Sequence, residues 1–185
     1  LISEPEIWNG LMGKLADMSI EYLTMQARAG ANALQIFDSW VGAVNSAEYE
    51  QAIFPHMKRI ISTVKSRFPN LPLAMNGVGT DHLIPTWAKL PLDVIALDWR
   101  SSLGAAKDRG VTQTVQGNLD PAYLYGDTKT IAKVVDEILI DGVRHGKHVF
   151  NLGHGVFPEA DPAKLHWLTD YVHEKSRELW ARESR

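Results

Sequence analysis

The chain has 185 residues, 45% hydrophobic and 22% charged, and its 19 basic and 22 acidic side chains give a formal net charge of −3. This composition can form a hydrophobic core, and the nearly balanced charge argues against the positive field that gathers nucleic acid. The sequence contains no cysteine, which excludes disulfides, thiolate nucleophiles and cysteine-containing zinc sites.

The first predicted element is a long amphipathic helix. Ser3 and Glu6 have the spacing of a capping box, and Pro5 stands in the first turn. Apolar side chains then recur at helical spacing until Gly30 ends the pattern: Ile7, Leu11, Leu15, Met18, Tyr22, Met25 and Ala29. Because the chain begins with Leu1 and runs directly into this helix, we expect that an upstream segment has been removed.

Five short apolar strands follow, and each ends in a polar cluster. They are predicted at residues 33–37, 73–75, 93–97 and 111–116, and in the stretch from His148 that ends in His154. Helical segments follow these strands: from near Ser46 to Phe68, around His82 to Leu90 with an interruption at Pro85, through residues 105–107, from about Thr128 to Arg144, and after Asp161-Pro162.

The repeat of strand, polar loop and helix, without a linker, predicts parallel strands in a single α/β unit. An open doubly wound sheet and a (β/α)8 TIM barrel both use this repeat. No phosphate-binding glycine fingerprint follows the first strand, so the nucleotide-binding form of the open sheet loses support. Five repeats are too few to close eight strands, and we interpret the chain as the latter part of a barrel.

The polar cluster after the last strand places His154 between Gly153 and Gly155. In barrels, the loops at the carboxyl ends of the strands carry the chemistry. The two glycines leave out side chains that would keep a ligand away from the backbone and the imidazole. The cluster therefore indicates the rim of an active site.

Four segments of the chain resemble the uroporphyrinogen decarboxylase family. They are Phe-Asp-Ser-Trp at 37–40, Leu-Asp-Trp at 97–99, Gln-Gly-Asn-Leu-Asp-Pro at 116–121 and Asn-Leu-Gly-His-Gly at 151–155. Their order and approximate spacing match the family, and the resemblance covers nearly the whole chain. It implies that residues 1–185 are the carboxy-terminal part of a single barrel domain, from about strand 4 to strand 8.

The resemblance implies a carbon–carbon lyase of haem and porphyrin biosynthesis that needs no cofactor and no metal. Such enzymes convert the four acetate side chains of uroporphyrinogen III to methyl groups, giving coproporphyrinogen III. The family's aspartate that binds the pyrrole NH groups, and its arginines that meet substrate carboxylates, belong to earlier strands than those present here. We therefore assign no catalytic residue in this chain and expect it to be inactive by itself.

Two positions match substrate-binding residues of the family, namely Ser39 and His154. Each also has a structural alternative: Ser39 could cap a turn, and His154 could brace the glycine loop by donating to a carbonyl. Four polar residues near strand ends could be ligands at the rim, namely Asp38, Asp98, Asn118 and Asp120. Aspartates after strands are usually caps or turn formers, so we interpret all four residues as structural. Arg100 could reach a substrate carboxylate, but a solvated or salt-bridged arginine is the simpler interpretation.

Two other functions compete with the decarboxylase. A methyltransferase of the same barrel superfamily would hold zinc through cysteine and histidine, and the absence of cysteine argues against it. A non-catalytic module that binds a tetrapyrrole or a partner is favoured by the absence of the family's aspartate and arginines. We expect a small-molecule substrate, no nucleic acid and no membrane partner, a cytoplasmic location and, from the resemblance, a homodimer.

Overall fold

The computed structural model describes residues 2–183 and alternates helices with short strands. The α-helices are α1 (Pro5–Arg28), α2 (Ser46–Ala52), α3 (Phe54–Arg67), α4 (Ile84–Trp87), α5 (Thr128–His145) and α6 (Pro162–Glu183). The strands are β1 (Leu34–Phe37), β2 (Leu73–Asn76), β3 (Val94–Ala96), β4 (Thr114–Leu119) and β5 (His148–Leu152). Short 3-10 helices occupy Val41–Ala43, Asp81–Leu83, Lys107–Arg109 and Pro121–Tyr125.

The five strands form one parallel sheet whose spatial order is the chain order, β1-β2-β3-β4-β5. In register, Phe37 stands beside Asn76 and Gln116 stands beside Val149. All carboxyl ends therefore lie along the same edge of the sheet. The predicted α/β class with parallel strands is confirmed, and the sheet leaves β1 and β5 as its two open edges.

The sheet is strongly curved. In a flat sheet, β1 and β4 would lie about 14 Å apart, with side chains pointing parallel to one another. Instead, Gln116 Nε2 donates a hydrogen bond of 3.4 Å to Gln35 Oε1, across two intervening strands. Only a concave surface brings these two side chains together. The five strands therefore form an arc of a barrel wall, with both glutamines on the inner face.

The hydrophobic core lies on the convex side of the arc, between the sheet and the helices. Alternate strand residues pack there, as the two-residue period of a strand requires. The buried members include Leu73, Met75, Ile95, Leu97 and Val115. A second cluster, around Leu119 and Ile131, joins the end of β4 to α5 and α6.

The structure differs from the sequence interpretation at α1. The helix begins at Pro5 after Glu4, and no side chain of the described residues caps it, so the predicted Ser3 cap is wrong. The helix buries Ala16, Ile20, Leu23 and Thr24, whereas most of the predicted apolar stripe is exposed: Ile7, Leu11, Leu15, Met18, Tyr22 and Met25. α1 thus has two apolar faces, and only one of them packs against α3 and β1.

Two predicted boundaries also change. β4 extends from Thr114 to Leu119, because residues 117–119 continue the ladder with residues 150–152 of β5. A Gly-Asn pair is typical of a turn, but here the neighbouring strand supplies its hydrogen-bond partners. The single helix expected over 46–68 is two helices that meet at Ile53, with Pro55 in the first turn of the second.

Gly142 tests the contact between α5 and β5. A Cβ at this position would overlap the imidazole of His148. We expect Gly142→Ala to lower the free energy of unfolding, although alanine is by itself the better helix former. Gly10→Ala in α1 is the matched control, because no atom of residues 2–183 lies within 4 Å of its added Cβ, and it should stabilise by about 0.5–1 kcal/mol. Urea unfolding measures the change in the free energy of unfolding for both variants. Changes of the same sign would contradict the close packing of Gly142 against His148.

His148 makes the stability depend on pH. Burial lowers the pKa of His148 below 6.5, its hydrogen bond to the Gly117 carbonyl (2.7 Å) partly opposes this, and the charge of His145 lowers it further. The unfolded chain therefore takes up a proton first, and stability should fall as the pH drops below about 6.5 toward the folded pKa.

We expect a smaller decrease of Tm between about pH 7.5 and 5.5 for His148→Gln, since the amide can donate the same bond without titrating. His166→Gln, at an exposed position on α6, should leave the dependence unchanged. If Tm falls with decreasing pH as steeply in His148→Gln as in the parent protein, the His148 imidazole does not govern the pH dependence of stability.

Candidate functional site

The loops after four of the five strands meet around a cleft of about 430 Å³. It is lined by Ser39, Trp40, Ala43, Val78, Gly79, Arg100 and His154. Ser39 and His154 are far apart in sequence but follow β1 and β5, at the two edges of the arc. The curvature of the sheet brings them to one cleft, as expected for the carboxyl-terminal face of a barrel.

The loop that carries Ser39 is held against the loop after β2. Following Ser39 and Trp40, the chain makes the short 3-10 helix Val41–Ala43. His82 Nε2 then donates to the carbonyl of Val44 at 2.7 Å, and Ser46 Oγ donates to the carbonyl of His82 at 3.1 Å. These reciprocal bonds position the Ser39 loop beside Val78 and Gly79.

Asp98, directly after β3, is the anchor of the rim. It is completely buried. Its Oδ2 accepts hydrogen bonds from Gly79 N at 2.6 Å and Arg100 Nη1 at 2.8 Å, and its Oδ1 accepts from Arg100 N at 3.1 Å. A buried carboxylate is costly unless paired and hydrogen-bonded, so these contacts connect the β2 and β3 loops firmly.

Asn118 on β4 closes the β3 loop from the other side. Its buried side-chain amide donates to the carbonyl of Asp98 at 2.9 Å and to that of Ser101 at 2.6 Å. Asp120, two residues later, accepts from Ala122 N at 2.9 Å and caps the following 3-10 helix. The structural interpretation of Asp98, Asn118 and Asp120 is thus confirmed by their hydrogen bonds.

Gly153 explains how His154 is positioned, for a different reason from the one expected. A Cβ on Gly153 would lie 2.5 Å from the backbone nitrogen of Trp99, so the glycine permits close approach of two loops rather than access for a ligand. Its own N–H donates to the Leu119 carbonyl at 2.7 Å. His154 consequently meets the ring of Trp99 edge-on, with centroids 6.0 Å apart.

Ser39 and His154 are both exposed to the cleft. The turn-capping alternative for Ser39 requires its hydroxyl oxygen to accept a hydrogen bond from a backbone N–H, and the bracing alternative for His154 requires its ring to donate one to a carbonyl. Neither side chain makes a hydrogen bond to another residue in the described range 2–183. Their polar atoms remain available to a ligand that enters the cleft.

Arg100 also lines this cleft, although the sequence interpretation left it out of the site. It does form the expected salt bridge, to Asp98, yet its side chain is 51% exposed while that of Asp98 is fully buried. Its guanidinium carbon lies 4.0 Å from the centroid of the Trp99 ring. The signal that could have found it is its position two residues after a buried strand-end aspartate, at the same sheet edge as Ser39 and His154.

Asp38 begins the turn after β1, as expected, because its carbonyl accepts a hydrogen bond from Val41 N at 3.3 Å, but its side chain caps nothing among the described residues. Its carboxylate accepts no hydrogen bond from the residues described, and burial raises its pKa. It lines a larger cavity, of about 690 Å³, between α1, α3 and β1. That cavity is mainly apolar and includes the exposed stripe residues Leu15, Met18 and Tyr22. The polar strand-end groups instead converge on the smaller cleft.

Residues 2–183 contain neither a cluster of metal-ligating side chains nor a membrane-spanning helix. No three histidine, aspartate or glutamate side chains in this range lie together in a way that could hold a metal ion. Among the helices of the same range, none is long and apolar enough to cross a membrane. The candidate site is described by its polar groups Ser39, Arg100 and His154.

Comparison with known proteins places these residues in a family context. The family model for uroporphyrinogen decarboxylase (URO-D) matches residues 1–175. The uroporphyrinogen decarboxylase of Bacillus pumilus is 49% identical over 176 residues, which cover 95% of this chain and 49% of that protein. The uroporphyrinogen decarboxylase of Oceanobacillus iheyensis is 51% identical over 175 residues, covering 95% of this chain and 50% of the relative.

The chain spans about half the length of the curated relatives it matches. Among solved structures, a methyltransferase from Methanosarcina mazei superposes with a TM-score of 0.71 at 16% sequence identity, covering 89% of this chain and 47% of that one. At this identity the likeness concerns the fold alone. It agrees with the half-barrel arc seen in the sheet.

Asp98→Asn tests the anchor. Whichever way the new amide is oriented, its NH2 group faces N–H donors that now bond to carboxylate oxygens. We expect the free energy of unfolding to fall by about 2–4 kcal/mol, the range for disrupting a buried, charge-assisted network. Asp108→Asn, at an exposed position in the same connection, should change it by less than about 0.5 kcal/mol. Chemical unfolding measures the free energy of unfolding of both variants. Equal decreases in the two would contradict the role of Asp98 in fixing the loops of the rim.

Proposed function

Because this chain belongs to the uroporphyrinogen decarboxylase family, we propose that it acts as the carboxy-terminal half of a uroporphyrinogen decarboxylase. The substrate would be uroporphyrinogen III and the product coproporphyrinogen III, formed by loss of carbon dioxide from four acetate side chains. The observation that supports this most directly is that Ser39 and His154 converge on one cleft while their polar side-chain atoms have no hydrogen-bond partner among residues 2–183.

The two side chains suit a substrate with many carboxylates. The Ser39 hydroxyl can donate one hydrogen bond to a carboxylate oxygen, and His154 can donate through a ring N–H in either protonation state. Charge-assisted bonds of this kind are shorter and stronger than neutral ones. We propose that Ser39 and His154 bind and orient side chains of the macrocycle in this way.

The reaction itself can use the substrate as its electron sink. A proton adds to the pyrrole carbon that bears the acetate, which gives a cationic ring. The bond between the acetate methylene and its carboxylate then breaks, carbon dioxide leaves, and the electron pair neutralises the ring as an exocyclic double bond. Protonation of the exocyclic carbon gives the methyl group, and loss of a proton from the ring restores the pyrrole. The protein must therefore orient the substrate and provide proton donors and stabilising charge.

We propose that the other half of the barrel provides the remaining groups. The open edge of β1, the exposed stripe of α1 and the apolar cavity between them support a covering by further barrel elements, because bare strand edges and large apolar surfaces are unfavourable in water. On this proposal, the 185 residues by themselves bind weakly and do not turn over substrate. We further propose, from the family resemblance, a cytoplasmic homodimer.

His154→Ala and Ser39→Ala test the substrate-binding proposal in the complete enzyme that contains this chain. Each should raise KM for uroporphyrinogen about tenfold or more, the value of one charge-assisted hydrogen bond, while Tm stays nearly constant because both side chains are exposed. Coproporphyrinogen formation, measured by chromatography after oxidation, gives the kinetics. His173→Ala, at an exposed position on α6, is the control.

An unchanged kcat/KM together with a lowered Tm in His154→Ala would favour the bracing alternative instead. Rapid turnover by the isolated 185 residues would contradict the proposal that the chain is half of the catalytic unit. Tight porphyrin binding by the complete protein without any turnover would favour a non-catalytic binding module.

A further inference from the structure

Arg100 is a cationic residue that lines the cleft, and several of its N–H groups make no hydrogen bond within the described range. A guanidinium has five N–H donors in a fixed planar fork. Within the described range, Nη1 is the one guanidinium nitrogen of Arg100 that donates a hydrogen bond, and it donates to Asp98. The donors on Nε and Nη2 have no partner among these residues, and the side chain is half exposed at the cleft that holds Ser39 and His154.

The fork is fixed in position before any ligand binds. Asp98 is completely buried and accepts a hydrogen bond from Gly79 N. The same carboxylate accepts a hydrogen bond from Nη1 of the guanidinium at 2.8 Å. The ring of Trp99 supports the guanidinium at 4.0 Å from its centroid, and Trp99 in turn contacts His154 edge-on. Preorganisation of this kind reduces the entropy that a flexible arginine would lose on binding.

The charges at this point leave Arg100 able to accept a second anion. The Asp98 carboxylate is satisfied partly by two backbone N–H groups, from Gly79 and Arg100 itself, so it does not depend on the guanidinium alone. His154 is the other residue of the cleft lining that can carry a positive charge. A carboxylate that reaches the cleft would meet the free donors of Arg100, a hydroxyl from Ser39 and an imidazole.

We propose that Arg100 is a substrate-binding residue that hydrogen-bonds a carboxylate side chain of the tetrapyrrole, between Ser39 and His154. This inference rests on the proposed function and deepens it by adding a specificity-determining cation from this half of the barrel. Asp98 is then a positioning residue: it holds one nitrogen of the fork and leaves the others to the ligand. The salt bridge and the substrate contact are thus two uses of one guanidinium.

The test uses the complete enzyme with three single variants: Arg100→Gln, Arg100→Lys and Arg144→Gln. Arg144 is a control on the exposed surface of α5, where its side chain is 75% exposed. Uroporphyrin, the oxidised and unreactive form of the proposed substrate, is titrated by fluorescence at several salt concentrations. Turnover of uroporphyrinogen gives KM and kcat, and thermal unfolding gives Tm.

We expect Arg100→Gln to weaken uroporphyrin binding about tenfold or more, to raise KM similarly and to reduce the salt dependence of Kd, because one ionic contact is lost. Arg100→Lys keeps the charge that faces Asp98 but loses the fork, so it should fold normally, retain most of the salt dependence and still bind more weakly. If Arg100→Gln fails to fold, Arg100→Lys still tests the proposal.

Unaltered Kd, KM and salt dependence in both Arg100 variants, with an active parent enzyme, would overturn the proposal for Arg100 and leave the proposed function intact. A parent enzyme that neither binds uroporphyrin nor converts uroporphyrinogen would overturn both. If Arg144→Gln and Arg100→Gln lose the same amount of uroporphyrin affinity, the proposal for Arg100 is also overturned, because the effect would then come from the general surface charge.

Discussion

The rim of this half-barrel depends on one buried carboxylate. Asp98 has no exposed surface, and its oxygens are satisfied by a backbone N–H from the β2 loop, a backbone N–H of its own loop and the guanidinium of Arg100. Asn118 fixes the same loop from β4 through two carbonyls. Since an unpaired charge in this position would be very costly, the loops after β2 and β3 are constrained to one arrangement against β4.

Curvature and close backbone approach bring the outer strands into this arrangement. The hydrogen bond between Gln35 and Gln116 spans two intervening strands and shows how far the sheet bends. At the far edge, Gly153 allows the β5 loop to touch the backbone of Trp99, which places His154 beside the indole. The cleft is thus a product of sheet geometry, and its polar side chains are supplied by loops on a rigid base.

The apolar surfaces of the chain are divided between a completed core and an uncovered one. The convex side of the sheet is closed by helices, and its core side chains are almost inaccessible to water. The outer stripe of α1 and the open edge of β1 are not closed in this way. Both observations agree with the finding that the chain spans about half the length of its curated relatives, and they support the proposal that further barrel elements cover these surfaces.

Local sequence patterns were enough to predict the order of the elements, the parallel α/β class, the structural role of Asp120 and the segments that identify the family. Long-range contacts instead set which face of α1 is buried, make residues 117–119 strand rather than turn, and leave the Asp38 carboxylate without a hydrogen-bond donor among residues 2–183. It also placed Arg100 in the cleft. These outcomes depend on neighbours distant in sequence, and neither periodicity nor spacing contains the curvature that brings such neighbours together.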